Sequence, residues 1–315
     1  MSYKFIIFIL GPTGIGKTSI SLFLAEKFKT EILSCDSRQF YKELRIGTAM
    51  PTMEELNRIP HHFIGHLSIN HTYNAKYFET DSLERISKLF NKYSILIMVG
   101  GSSLYEKSVT EGLSEIPKID FNIRNNLIFS FKKKGISFLQ KEFMKIKKQG
   151  ELIDIHNPRR LIRYLEIVKS TGYHPSFFFQ KKKPYKRNFI VLKIGLIMPK
   201  DKIYSRINNR VENMMEKGFL DEAKLYYDQR NLNSLQTIGY KEIFEFISNK
   251  CKKNYFNETV EKIKKNTRKY AKRQLTWYKK DPYITWFNPK EKEKILNFIL
   301  KKMGNTGFEP VTSCL

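Results

Sequence analysis

An α/β fold is predicted: a parallel sheet flanked by helices, carrying a mostly helical insertion. Three observations carry this. A hydrophobic run at residues 5–10 passes directly into GPTGIGKT at residues 11–18, which reads as strand, glycine loop and helix start. Further strand-length apolar runs, each preceded by a helical stretch, give the order βαβ…αβ of a parallel sheet covered by helices. Between residues 118 and 186 the pattern turns to amphipathic, lysine-rich helices before a strand returns.

GPTGIGKT is a complete G-x-x-x-x-G-K-[ST] motif in the right context, so the sheet is expected to be P-loop NTPase-like. Gly11, Gly14 and Gly16 let the backbone turn successive N–H groups onto phosphate oxygens, and Pro12, Thr13 and Ile15 complete the loop. Lys17 supplies a point charge for the terminal phosphates, and Thr18 a hydroxyl for Mg²⁺. The helix expected from Thr18 to about Lys27 aims its positive end at the same place. The motif names a di- or triphosphate as ligand, without saying whether phosphate is transferred. A second strand is expected at 30–35, ending at Asp36, and a third at 93–99, ending at Gly100 and Gly101. Ligands of such sheets lie outside the carboxyl ends of the strands. The loop 11–18, Asp36 and the segment 100–103 therefore converge on one crevice.

Helical segments with the lysine-rich faces 132–134 and 145–148 fill the insertion, which ends in a Lys/Pro stretch at 181–184. A strand returns at 189–196. The last long helix, about 258–278, sets Val260, Ile263, Thr267, Tyr270, Ala271 and Gln274 along one side. Its other faces carry Lys262, Lys264, Lys265, Arg268, Lys269, Lys272 and Arg273, which with Gln274, Thr276 and Trp277 suit RNA contact. From Gly304 the composition shifts to an uncharged tail, where disorder is expected. The domains expected are a discontinuous catalytic core, 1–117 with 187–303, the insertion 118–186, and the tail 304–315.

At 315 residues the chain can bury a sizeable core in one or two domains. No apolar run is long enough to span a bilayer, and the first strand begins by residue 4, so neither a membrane helix nor a targeting peptide is expected. A net charge of +26, from 57 Lys+Arg against 31 Asp+Glu, points to a polyanionic partner, nucleic acid before membrane. An AT-rich coding bias would also raise lysine together with Ile, Asn and Phe, so where the charge sits matters more than its total. Cys35, Cys251 and Cys314 are far apart and none belongs to a C-x-x-C pair, which argues for a reducing cytoplasm without disulfides or a zinc ribbon. His61, His62, His66 and His71 lack helical register and a nearby cysteine, so a metal site is not expected there.

Beyond GPTGIGKT, several motifs stand in one order: CDSRQFYKELRIGTAMPT (35–52), PHHFIGH (60–66), VGGSSLYEKSVTEGL (99–113), HNPRRLIRYLEI (156–167), RINNRVENMMEKGFLDEA (206–223), TIGYKE (237–242) and YAKRQLTWY (270–278). Together they resemble the tRNA dimethylallyltransferases over roughly residues 4–290. The P-loop is shared by many families, whereas D-S-R-Q-x-Y, N-P-x-R-x-x-R and Y-A-K-R-Q-x-T-W together are specific. The resemblance implies transfer of a dimethylallyl group from dimethylallyl diphosphate to N6 of the adenosine 3′ of the anticodon. It implies tRNA as partner; Mg²⁺ is the cofactor expected from the P-loop, and a cytoplasmic monomer is expected. Lys17 and Thr18 are then placed at the departing diphosphate. Arg206 and Arg210 match arginines that face the reaction centre, Arg206 being expected on the diphosphate. Contacts to tRNA are implied for Asp36, Ser37, Arg38, Gln39, Ser102, Arg124, Arg159, Arg160, Leu161, Ile162, Arg163, Arg273 and Gln274. Asp36, beside the crevice, can accept the N6 proton and matches the family's general base; the alternative roles for such a residue are an N-cap or a Walker-type Mg²⁺ ligand. Where the family usually has G-G-T-G-L-Y, this chain has Gly100-Gly101-Ser102-Ser103-Leu104-Tyr105, and Ser103 would be strained at a positive φ.

Two other classes fit part of the sequence. A P-loop kinase shares the first motif, but here the third strand ends in Gly-Gly instead of a Walker-type aspartate, and a basic helical insertion has no purpose in it. A non-catalytic RNA-binding module explains the charge but not Lys17, Thr18 and Asp36 together.

Overall fold

The structure, a computed structural model, describes residues 3–117, 119–149, 152–180, 187–249 and 254–304. Its strands are β1 (Phe5–Leu10), β2 (Ile32–Ser34), β3 (His61–His62), β4 (Ile95–Gly100), β5 (Ile190–Leu196) and β6 (Ile284–Phe287). They form one sheet in the order β3-β2-β4-β1-β5-β6, with every neighbouring pair parallel. The helices are α1 (Lys17–Lys27), α2 (Met53–Arg58), α3 (Ala75–Leu89), α4 (Ser103–Thr110), α5 (Phe121–Lys134), α6 (Ile136–Ile146), α7 (Pro158–Thr171), α8 (Pro175–Gln180), α9 (Lys200–Glu216), α10 (Phe219–Leu225), α11 (Tyr240–Ser248), α12 (Asn254–Tyr278) and α13 (Lys292–Gly304).

The sheet is centred on β1, whose six residues are all buried because both faces are covered. Alternation divides them. Phe5, Ile7 and Ile9 pack with Leu24, Ile295 and Ile299, while Ile6, Phe8 and Leu10 pack in the opposite cluster with Phe78, Ile86 and Tyr278. Each such side chain contributes about 1.5–3 kcal/mol, so this strand anchors the loop that follows it.

Several expectations are corrected. The second strand covers only Ile32–Ser34, and the third runs Ile95–Gly100, one residue further into the glycines than expected. Two strands escaped the sequence reading. His61–His62 is too short and polar to register, and the four-residue β6 is too brief for an alternating pattern. Gly304, the expected start of the tail, closes α13; residues 305–315, the stretch 181–184, Cys251 and Cys314 lie outside the described residues. Ser103 opens α4, and it is not among the non-glycine residues with positive φ, which are Lys29, Ala49 and Phe63. The serine in place of glycine therefore carries no backbone strain.

The chain divides into two compact units, Met1–Thr110 with Lys186–Leu315, and Glu111–Tyr185. In the first, Lys193 of β5 is buried between Glu106 of α4, at 2.7 Å, and Asp281 just after α12, at 2.8 Å. Burial works to strip its proton, and the two carboxylates hold it on. Lys193→Met leaves two inward carboxylates without a counter-charge. It is expected to lower stability by about 3–5 kcal/mol, read as a shifted denaturant midpoint with unchanged slope.

The second unit is a small helical body of α5 to α8 around Leu127, Leu139, Phe143, Leu161, Ile162, Tyr164 and Leu165. The N-P-x-R-x-x-R motif starts α7: the Asn157 side chain accepts from the Arg160 N–H at 3.3 Å, and Pro158 takes the first-turn position where its missing N–H is harmless. Leu161 and Ile162, expected at an RNA contact, are core residues here, so their side chains are not available to a ligand. Arg163 and Arg124 both bond the buried Glu166, at 2.6 and 2.7 Å, whereas Arg159 and Arg160 stand exposed at the start of the helix.

Candidate active site

The carboxyl ends of β2, β4 and β1 stand side by side, and each hands its chain to a loop bearing polar residues. After β1, the three motif glycines take φ values of 145°, 79° and 103°, a region that side chains strain against. The loop therefore folds back on the start of α1. Lys17 Nζ donates to the carbonyls of Gly11, at 3.0 Å, and Pro12, at 2.9 Å. Burial pulls the Lys17 pKa down to about 8, against the opposing pull of the Asp36 carboxylate.

After β2, Asp36 makes an Asx turn: its Oδ1 accepts from the Arg38 N–H at 3.0 Å. No helix starts there, which removes the N-cap reading. Its Oδ2 has no hydrogen-bond partner among the described residues. Gln39 donates to the Ala49 carbonyl at 3.1 Å, and Ala49 itself sits at φ 44°. Arg38 reaches the carbonyls of Asn233 and Ser234 at 2.8 and 3.2 Å. The segment 45–50 is held from below by Glu222 of α10, which accepts from the N–H groups of Ile46 and Gly47 at 2.8 and 2.9 Å and from the Tyr240 hydroxyl. That ties the F-L-D-E-A and T-I-G-Y motifs to the crevice without either entering it.

After β4, Ser102 Oγ accepts from the Ser37 N–H and donates to Ser37 Oγ, both at 3.2 Å, joining two loops beside Asp36. Tyr270 of α12 lines the same crevice, and burial first, then Asp36, pushes its pKa up to about 12. On α9, Arg206 and Arg210 are one turn apart. A Cβ on Gly16 would lie 3.2 Å from Arg206 Nη2, so that guanidinium rests against the P-loop. Arg210 is lowered by burial and supported by Asp36, and it donates to the Thr48 carbonyl at 3.2 Å.

These residues enclose a crevice of about 360 Å³. Thr13, Gly14, Gly16, Lys17, Thr18, Asp36, Gln39, Arg206, Arg210, Tyr270 and Gln274 line it, and Ala49, Pro51, Ile64 and Val99 supply apolar wall. Gly11, Pro12 and Ile15 are buried behind the lining and shape the loop instead. Ser37, Arg38 and Ser102 flank it. Arg273 is exposed beside the Tyr270 ring, at 5.7 Å. Arg124, Arg159, Arg160 and Arg163 belong to the second unit. Gln274, expected at an RNA contact, is buried at the crevice wall with both ends of its amide bonded to backbone. Tyr270, counted only as part of an apolar helix side in the sequence, is a site residue; its place four positions before Gln274 was the available signal.

Three cations, Lys17, Arg206 and Arg210, line the crevice against two carboxylates, Asp36 and Glu55, and the Glu55 carboxylate is engaged in capping α2 at the Thr52 N–H, a composition that binds an anion of several charges. The histidines disperse: His61 Nδ1 donates to the Ile59 carbonyl, His62 pairs with Glu31, and His66 packs among Phe40, Phe63 and Tyr73. Among the described residues no group of three or more His, Cys, Asp or Glu converges as a metal site.

The profile of the family described as IPP transferase matches residues 39–281. The chain belongs to this family. A tRNA dimethylallyltransferase of Christiangramia forsetii is 47% identical over 303 residues, covering 96% of this chain and 99% of the relative. The tRNA dimethylallyltransferase 1 of Bacteroides fragilis is 41% identical, covering 95% and 98%. Among solved structures, the tRNA isopentenylpyrophosphate transferase of Bacillus halodurans superposes with a TM-score of 0.70 at 34% identity, covering 96% of this chain and 98% of that one. A eukaryotic dimethylallyltransferase acting on tRNA superposes with a TM-score of 0.77 at 26% identity, covering 97% and 80%. The six-stranded parallel sheet with flanking helices is the P-loop NTPase-like fold of this family.

Proposed function

We propose that the protein transfers the dimethylallyl group of dimethylallyl diphosphate to N6 of the adenosine 3′ of the anticodon in tRNA, releasing diphosphate. The observation that carries this is the single crevice holding Asp36, with Oδ2 open, opposite Lys17, Arg206 and Arg210. A diphosphate suits the three cations, and the small apolar wall of Ala49, Pro51, Ile64 and Val99 suits a short prenyl tail.

As the allylic C–O bond breaks, its electron pair leaves with the diphosphate, whose growing charge Lys17, Arg206 and the P-loop N–H groups neutralise. The N6 lone pair forms the new bond to the same carbon, and the N6 proton passes to Asp36 Oδ2. The adenosine must leave the anticodon stack to reach this carboxylate, at a cost of a few kcal/mol offset by contacts to the flipped base. The Thr18 hydroxyl, in the crevice lining at the start of α1, is the group that would hold a Mg²⁺ arriving on the diphosphate. When bound there, it would supply further charge neutralisation to the leaving group.

The direct test is incubation of the protein with tRNA, dimethylallyl diphosphate and Mg²⁺, followed by mass spectrometry of the nucleosides. A prenylated adenosine next to the anticodon is expected. Phosphate release from ATP with no modified nucleoside would instead favour the kinase class. A cytoplasmic setting accords with the cysteine usage, and no helix among the described residues is long and apolar enough to cross a membrane.

Arg159 and Arg160, exposed at the start of α7, are taken as phosphate contacts to tRNA. Affinity for tRNA should then fall steeply with salt. Arg159→Ala and Arg160→Ala should each reduce the slope of log affinity against log salt by about one unit. A salt-insensitive affinity would return the excess charge to coding bias.

A further inference from the structure

Among the described residues, Gln274 is the one side chain of α12 whose two ends are bonded into two different site loops. Its Oε1 accepts from the Thr13 N–H in the P-loop at 2.9 Å, and its Nε2 donates to the Gly101 carbonyl at 2.8 Å. Those loops leave β1 and β4, which are paired with Leu10 opposite Gly100. A backbone N–H can only donate and a carbonyl can only accept, so the amide has one workable orientation. No other side chain of this length offers both functions: Glu lacks the donor, Lys lacks the acceptor, and Met lacks both.

Gly101 bears the same imprint. A Cβ there would lie 2.2 Å from Gln274 Nε2, and Gly101 is absent from the positive-φ glycines. Its lack of a side chain is required for space, and the space is for this amide. The next residue, Ser102, bonds Ser37 beside Asp36, and Tyr270, one turn before Gln274 on α12, lines the same crevice as Asp36. One face of α12 therefore touches the phosphate loop and the Gly101–Ser102 loop, and the latter is bonded to the loop that carries the carboxylate.

We propose that Gln274 is a positioning residue: it sets the P-loop in register with the Gly101–Ser102 loop, and so fixes the diphosphate at its working distance from Asp36, without touching RNA. The proposal rests on the roles of Asp36 and the P-loop given above, but its binding arm needs only diphosphate.

The test uses the full chain with Gln274→Met, which keeps length and volume and removes both bonds, Gln274→Glu, which keeps the acceptor for Thr13 and loses the donor, and Gly101→Ala, which displaces the amide from the other side. Three quantities are measured: affinity for inorganic diphosphate with Mg²⁺ by calorimetry, affinity for tRNA by filter binding, and the single-turnover rate at saturating substrates. Gln274→Met and Gly101→Ala are expected to weaken diphosphate about tenfold and slow the single turnover about 10–100-fold, the scale on which small misplacements act. Affinity for tRNA is expected within about twofold of the parent. Gln274→Glu should weaken diphosphate more than Gln274→Met, because it adds a negative charge to the anion site. Should Gln274→Met not fold, as judged by circular dichroism, Gln274→Glu and Gly101→Ala are read by the same criteria. Loss of tRNA affinity with unchanged diphosphate affinity would overturn the proposal in favour of direct RNA contact, and three unchanged quantities would overturn it outright. If the parent protein modifies no tRNA, the proposed function fails, while the diphosphate comparison still decides whether Gln274 holds the P-loop.

Discussion

Asp36→Asn is expected to slow prenyl transfer by about 10²–10⁴-fold, the range general-base removal typically gives, with tRNA affinity nearly intact. The substitution keeps the shape of the side chain, and an amide oxygen can still accept from the Arg38 N–H that now holds Oδ1. What disappears is the proton acceptor at Oδ2. The charge also changes: Asp36 supports the protonated forms of Lys17 and Arg210. Some of the loss could therefore arise on the diphosphate side. Comparing single-turnover rates at saturating dimethylallyl diphosphate separates the two, because saturation removes the binding part and leaves the proton transfer. A saturated rate close to that of the parent would remove Asp36 from the chemistry.

Lys17→Ala is expected to weaken diphosphate about 10- to 100-fold, the loss of a charge-assisted hydrogen bond of about 1.5–3 kcal/mol. The same residue sets a pH dependence. Burial lowers its pKa in the free protein to about 8, so the ammonium is present below that pH and is lost as the pH rises through it. The kcat/KM for dimethylallyl diphosphate should therefore fall on the alkaline side with a midpoint near that value. A bound diphosphate favours the charged amine, so kcat at saturation should fall only at higher pH. Lys17→Arg keeps its charge throughout and should lose this alkaline limb even if its activity is reduced. An unchanged limb in Lys17→Arg would assign it to another group.

Gly11, Gly14, Gly16, Lys17 and Thr18 could be read directly from sequence because a phosphate loop is local. Its conformation depends on glycines a few residues apart, and the three positive φ values are what that spacing requires. Asp36 was legible for a related reason: in a parallel sheet the carboxyl ends of the strands share one edge, so the end of an apolar run locates its neighbour. The short pieces were not legible. β3 and β6 gain their hydrogen bonds from strands already in place, and a residue such as His61 shows no intrinsic preference for that.

Side-chain roles around the crevice were decided by tertiary structure alone. Leu161 and Ile162 share a motif with the exposed Arg159 and Arg160, yet the turn of α7 sends one pair into a core and the other to the surface. Gln274 reads in sequence as one polar member of a basic helix, and only the approach of two loops from residues 13 and 101 turns it inward. Glu222, itself held by the Tyr240 hydroxyl, likewise fixes Ile46 and Gly47 from some 175 positions away along the chain. The sequence by itself determined the phosphate loop, the sheet edge it occupies and the carboxylate beside it, because those follow from nearest-neighbour backbone geometry. The tertiary structure decided which polar groups face the ligand and which hold other residues in place, because a hydrogen bond between distant segments exists only once packing has brought both partners within reach.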